Sequence, residues 1–198
     1  MTLLVTVPAL TGRAAAQEYA EIGETVAGQD AGALNEAAVE FENGVPPVRI
    51  QIPSIGLDTE VVPVGLDPDG AMSAPVDPDT VAWYSLGPGL GIGGNIVLAG
   101  HVDWAGRPRV FAHLRNLSEG DLITIWDEKG DASSYFVESS GWVEAEGAPI
   151  EEIFGSRSES TITLITCGGT FDPFARQYLH RLVVRAQQTL GSTIIPRS

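Results

Sequence analysis

The residues of this chain able to act together in covalent chemistry are one cysteine, three histidines and a few arginines. The thiol, Cys167, lies near the end of the run Ser160 to Gly169, STITLITCGG. Thr161, Thr163 and Ile165 fall on the side of Cys167, and Ile162 and Leu164 on the other. This period of two, rich in β-branched residues, predicts a strand, which Gly168 and Gly169 are expected to end. A lone cysteine is more often a small buried hydrophobe than a nucleophile. What argues for chemistry is its company. His101 closes a second apolar run, Asn95 to Gly100 (NIVLAG), and Arg176 and Arg181 follow the thiol by nine and fourteen residues across a turn. If these groups converge at one rim of a sheet, an imidazole and a guanidinium would support a thiolate. Asp103, two residues past His101, is a candidate to orient a neighbouring group, although a carboxylate there also suits a turn. His113 reads as structural or solvent-facing.

The elements that must position these groups are short. Val48, Ile50 and Ile52 share a face of a first strand, and Thr59 to Val64 forms a second after the turn at Gly56-Leu57-Asp58. Val81 to Leu86 and the NIVLAG run follow, separated by the glycine-rich segment from Gly87 to Gly94. That segment has no Lys-Ser/Thr pair after it and so reads as tight turns, not as a phosphate loop. Val110 to Leu117 makes a short helical turn, with Phe111 and Leu114 on one side. Leu122 to Trp126 is a strand, Ala132 to Val143 supplies one or two more around Gly141, and Pro149 to Phe154 is a turn or two of helix with Pro near its start. The segment YLHRLVVRA, from Tyr178, returns beside the cysteine strand. Seven or eight short strands with hardly any helix indicate an all-β sandwich or closed barrel, and periodicity does not choose between them.

At 198 residues the chain suits one domain with a real core. Eleven basic against 26 acidic residues, a formal charge of −15, argue against nucleic-acid binding. One cysteine excludes an intrachain disulfide and a cysteine-rich metal site, and no HExxH pair is present, so neither a metal nor another cofactor is expected. Residues 1–17 begin with the apolar MTLLVTVPAL, too short to span a bilayer as a helix. They resemble part of a signal peptide or a remnant of a membrane anchor, without the positive n-region. Residues 18–47 are acidic and rich in Ala and Gly. They read as a flexible stalk, with only a short helix conceivable over residues 31–41. The folded domain is expected over 48–190, with a tail at 191–198, so that removal of residues 1–45 should leave the fold intact.

LITCGGTFDP, together with AGHVD after the earlier apolar run, resembles the sortase family of cysteine transpeptidases, nearest to its class F members. The family pattern TLxTC stands here as Thr163-Leu164-Ile165-Thr166-Cys167, and the resemblance extends from about Pro46 to Gln187. It implies a closed eight-stranded β-barrel with short helical turns. It also implies a cysteine peptidase that cleaves a Leu-Pro-x-Thr-Gly-like sorting signal through a thioester and passes the acyl group to a cell-envelope amine. Cys167 would be the nucleophile and His101 the general acid–base. Arg176 would be the catalytic arginine, matched through Gly168-Gly169-Thr170-Phe171-Asp172, Arg176 and Tyr178, with Arg181 the runner-up. Arg181 shares a face with Leu179 and Val183, an apolar row expected to point mainly inward, whereas Arg176 in the turn is free to point across a groove. Thr166, Gly168 and Asp103 are the expected substrate-binding residues.

The resemblance further implies an extracytoplasmic, cell-surface or membrane-associated bacterial monomer. Its partners would be surface proteins bearing a C-terminal sorting signal and a peptidoglycan precursor or pilin-type amine acceptor, with N-terminal membrane anchorage and no nucleic acid. Two other readings compete: a cysteine acyl-transfer enzyme of the L,D-transpeptidase type, whose Ser/Thr-x-Gly pattern before the cysteine is absent, and a non-catalytic envelope binding module. The choice of histidine is directly testable. His101→Ala should lower peptide turnover by roughly 10²-fold, as loss of a general acid–base group does, and His113→Ala should stay within a few-fold of the parent in the same assay.

Overall fold

The computed structural model describes residues 43–155 and 157–188. The proposed leader, the helix over 31–41, most of the stalk and the tail lie outside them. Eight strands close a barrel in the order β1 (Pro47–Ile52), β2 (Leu57–Val64), β3 (Val81–Tyr84), β4 (Asn95–Ala99), β9 (Thr161–Asp172), β10 (Gln177–Gln188), β8 (Ala132–Glu144) and β7 (Leu122–Asp127), which returns to β1. A small hairpin of β5 (Asp103–Trp104) and β6 (Arg107–Pro108) follows β4. The one α-helix among the described residues, α1 (Ile150–Phe154), sits between β8 and β9 with Pro149 as its N-cap. The fold is all-β, a closed eight-stranded barrel with short helical turns.

Alternation along the strands sorts side chains into two layers. Ile50, Ile52, Ile96, Leu98, Ile123, Ile125, Ile162, Leu164, Leu182 and Val184 point into the barrel and are buried with Phe111 and Leu114. The intervening residues of β4, β9 and β10, which are Val97, Ala99, Ile165, Cys167 and Val183, are buried too, in a second cluster with Met72 and Ile153. The outer face of this part of the barrel is therefore covered. Asn95 anchors the cover. Its amide donates to the carbonyl of Ile153 at 2.7 Å, and its Oδ1 accepts the Thr163 hydroxyl at 2.8 Å, so that a fully buried polar group is satisfied on both sides.

One local expectation changes. β9 does not end at its glycines but runs through them to Asp172. Gly168 pairs with His180 and Phe171 with Tyr178, so two residues of β9, Gly169 and Thr170, oppose Leu179 alone. Gly169 has φ 72°, the left-handed conformation that a bulge of this kind requires and that glycine adopts without strain. Residues just ahead of β1 also pack on the barrel. Val45 and Leu90 exchange backbone hydrogen bonds of 2.9 and 2.8 Å, the Gly89 amide donates to the Asn43 carbonyl at 2.6 Å, and Val45 packs against the core. The glycine-rich segment is thus the docking edge for residues 43–45. A chain beginning at Pro46 should be less stable than one beginning at Asn43 by about 2–3 kcal/mol, or about 6–9 °C in melting temperature, from three lost backbone bonds. Paired thermal melts measure the difference.

Candidate active site

Strand register brings the candidate residues together. β4 and β9 run parallel with Ala99 beside Ile165, and the Gly100 amide extends the pairing by donating to the Ile165 carbonyl at 3.1 Å. Two residues further along these neighbouring strands stand His101 and Cys167. On the other side of β9 the antiparallel register sets Cys167 directly against Arg181. The three residues therefore form one row across β4, β9 and β10, with sulfur in the middle and strands spaced about 5 Å apart. The row lies on the outer face, with Ala99, Ile165 and Val183 beneath it in the second cluster. The apolar neighbours of Arg181 are thus not an inward-facing row. Leu182 and Val184 fill the barrel, and Val183 points outward under the cover that includes Met72 and Ile153.

Arg176 lies elsewhere. It is exposed in the turn between β9 and β10, with φ 54°. The adjacent pair, Asp172 and Gln177, is five residues along β9 from Cys167, about 16 Å at the usual rise per residue. The row is buried: His101, Cys167 and Arg181 are 3%, 4% and 2% exposed. Arg181 Nη1 donates to the carbonyls of Tyr178 and His180 at 2.9 and 3.0 Å, which holds the guanidinium at the start of β10.

The expected binding residues have distinct places. The Thr166 hydroxyl donates to the Gly100 carbonyl at 2.8 Å, tying β9 to the backbone immediately before His101. Gly100 must be small, since a Cβ there would lie 2.7 Å from the Phe111 ring. Gly168 carries the indole of Trp142, to which a Cβ would approach within 2.5 Å. Asp103 Oδ2 accepts the Tyr178 hydroxyl at 2.9 Å, joining the segment after His101 to the strand that bears Arg181. His113 is exposed at the start of the 3₁₀ turn Leu114–Asn116. Trp104 and Trp142 carry no motif that would single them out, yet the Trp104 ring meets the His101 imidazole edge-on at 5.1 Å, and Trp142 flanks the residue after the thiol. A cavity of about 230 Å³ opens beside the sulfur, its walls including Cys167, Thr166, Gly168, Trp142, Tyr178 and Arg115. Among the described residues no three His, Cys, Asp or Glu side chains are grouped to hold a metal ion.

A sortase domain model matches residues 50–189, the whole barrel apart from its first residues. The chain belongs to the sortase family. Sortase A from Corynebacterium diphtheriae is 22% identical with a TM-score of 0.57, over 88% of this chain and 75% of that one. Sortase A from Listeria monocytogenes is 19% identical with a TM-score of 0.54, over 73% and 87%. A sortase D5 transpeptidase from Clostridium perfringens is 19% identical with a TM-score of 0.55, over 79% and 88%. None of the curated proteins compared matches. The similar structures include A, C and D sortases, so they do not single out class F. As a sortase the protein is a cysteine transpeptidase acting on a sorting-signal substrate, a family role carried out at the cell envelope. Among the described residues no helix is long and apolar enough to cross a membrane.

The electrostatics of this sortase set the resting state of the pair. Burial pushes the Cys167 thiol above its ordinary 9.0; Arg181 opposes that shift and Asp103 adds to it. Burial pushes His101 below its ordinary 6.5, against a hydrogen bond to the Pro75 carbonyl and the attraction of Asp103. Both groups are therefore neutral near pH 7, and a thiolate–imidazolium pair is the minor protonation state. Alkylation of Cys167 by iodoacetamide, followed against pH, should have its midpoint above pH 9.0. Arg181→Gln should move that midpoint upward and Asp103→Asn downward, and a midpoint below pH 8 in the parent would show a pre-formed thiolate instead.

Proposed function

We propose that this enzyme cleaves a Leu-Pro-x-Thr-Gly-like sorting signal and transfers the new acyl end to a cell-envelope amine, with His101, Cys167 and Arg181 as its catalytic residues. The observation that carries this reading is the single row in which the parallel and antiparallel registers of β9 set an imidazole and a guanidinium on either side of one sulfur. Of the two candidate arginines we assign Arg181, because it stands opposite Cys167 and Arg176 stands on the turn. The motifs Ala99-Gly100-His101-Val102-Asp103 and Cys167-Gly168-Gly169-Thr170-Phe171-Asp172 support placement nearest class F, with the arginine read from geometry in place of that group's turn position. The docking of residues 43–45 on the barrel supports a catalytic domain beginning near Asn43, with residues upstream of it serving as export signal or stalk.

The chemistry divides among the three side chains. Sγ, as thiolate, adds to the scissile carbonyl carbon, and the oxygen takes up the negative charge beside the Arg181 guanidinium. As the C–N bond breaks, His101 gives its proton to the departing amine, leaving a thioester on Cys167 and a neutral imidazole. An incoming amine then adds to the thioester carbonyl and loses its proton to His101. The thiolate leaves, and the thiolate–imidazolium pair is restored. Water in place of the amine gives hydrolysis. Arginine remains charged throughout and has no share in the proton transfers.

Incubating the full chain with a set of x-Pro-x-Thr-Gly peptides and amine acceptors, with mass spectrometry of cleaved, thioester and ligated species, tests the assignment. Cys167→Ala should remove thioester and both products, and turnover above about 1% of the parent would exclude it as nucleophile. Arg181→Ala should slow single-turnover thioester formation about 10²-fold, corresponding to about 3 kcal/mol of lost oxyanion stabilisation, whereas Arg176→Ala should stay within a few-fold. The reverse order in variants with matched melting curves would return the role to Arg176.

A further inference from the structure

We propose that the cavity beside Cys167 receives the accepting amine and selects one whose carrier also holds a carboxylate, bound by Arg115. This rests on the transpeptidation reading above and adds the chemical class of the second substrate. The cavity is placed for the amine half of the reaction. Cys167 lines it, and so does Val102, the residue after the histidine that exchanges protons with departing and arriving amines. Its far wall is tied to the same histidine. The Phe111 amide donates to the His101 carbonyl at 2.9 Å, the Arg109 amide to the Val102 carbonyl at 3.1 Å, and the Leu114 amide to the Phe111 carbonyl at 3.1 Å. Arg115 follows in the 3₁₀ turn Leu114–Asn116, exposed between the buried Leu114 and Leu117 that fix the turn on the core.

Among the described residues Arg115 is the only charged one lining this cavity. Arg49, Arg109 and Arg185 pair with Asp58, Asp79 and Glu152; among the described residues Arg115, like Arg107, Arg157 and Arg176, has no ion-pair or hydrogen-bond partner, and of these four it alone lines the cavity. A second cavity, of about 200 Å³, lies further along the outer face between β8, α1 and β10; it is lined by Val183 and Ile153 but not by Cys167, and its Arg185 already engages the Glu152 carbonyl at 2.9 Å. An unpaired cation thus stands on the thiol's side. Among the described residues no Asp or Glu lines the cavity beside the thiol, and the nearby Asp103 carboxylate accepts the Tyr178 hydroxyl. Such walls offer nothing to a second cation on the acceptor and a planar fork of donors to a carboxylate. In a chain of net charge −15 an anionic acceptor is repelled at long range, so a local cation is what would retain it.

The test uses the full chain, loaded with a sorting peptide and then offered glycylglycine or glycylglycinamide, with ligation read against hydrolysis by mass spectrometry. The parent should favour the free acid by about tenfold, the size of one charge-assisted contact. Arg115→Gln should bring the acid-to-amide ratio near one, Arg115→Lys should keep part of it, and Lys129→Gln, in the turn between β7 and β8, should keep all of it. The ratio is internal to each enzyme, so a general loss of activity does not move it. Equal use of acid and amide by the parent, or a preference that survives in Arg115→Gln, overturns the proposal. Failure of the parent to form any thioester overturns the transpeptidation reading instead.

Discussion

The site depends on how β9 is paired. This strand has a parallel neighbour on one side and an antiparallel neighbour on the other. A parallel neighbour delivers its strand end, and whatever follows it, to the edge at which Cys167 stands. An antiparallel neighbour delivers the beginning of its strand to that edge. Three residues far apart in sequence therefore reach one line without any loop having to carry them, and their spacing is set by backbone hydrogen bonds. Thr166 and Gly100 secure the weakest link, the point where β4 has just ended and His101 begins.

Placing the row on the outer face brings a second requirement. A buried cysteine and histidine inside the barrel would be sealed from substrate, while the same residues on a bare sheet would be fully solvated. The cover built from Met72, Ile153 and their neighbours produces an intermediate environment, dry enough to disfavour both charged forms and open on one side at the cavity. Asp103 acts on both partners in the same direction, raising the proton affinity of each, whereas Arg181 acts on the thiol in the opposite sense. Burial is the largest influence on both groups, and the carboxylate and guanidinium that modulate it are linked by Tyr178, through its hydroxyl to one and its carbonyl to the other.

Much of this was legible in the sequence. The strands, the helical turn before Leu117 and the residues that fill the barrel follow from periodicity, and Cys167 and His101 stand out because each closes an apolar run. The β10 residue that faces Cys167 is not legible in the same way. Which residue of β10 faces Cys167 depends on a register that a bulge at Gly169 and Thr170 resets, and in sequence that bulge is only a pair of glycines suggesting an end. The direction of the row is not legible because alternation marks an apolar face as inner, and here both faces are apolar. Asn95, which ties α1 to the outer face, reads locally as a plain strand residue, since its partners Thr163 and Ile153 lie 68 and 58 residues away.

One consequence follows from the missing side chain at Gly168. The space that it leaves is filled by the indole of Trp142, which is half exposed, at 51%, and lies against the residue bonded to Cys167. Trp104 meets the imidazole on the other flank, so two of the four tryptophans border this histidine and cysteine. Indole emission responds to the polarity and charge of its surroundings. The protein therefore carries its own optical reporter, in which changes at the sulfur and the imidazole can be followed in real time without a label.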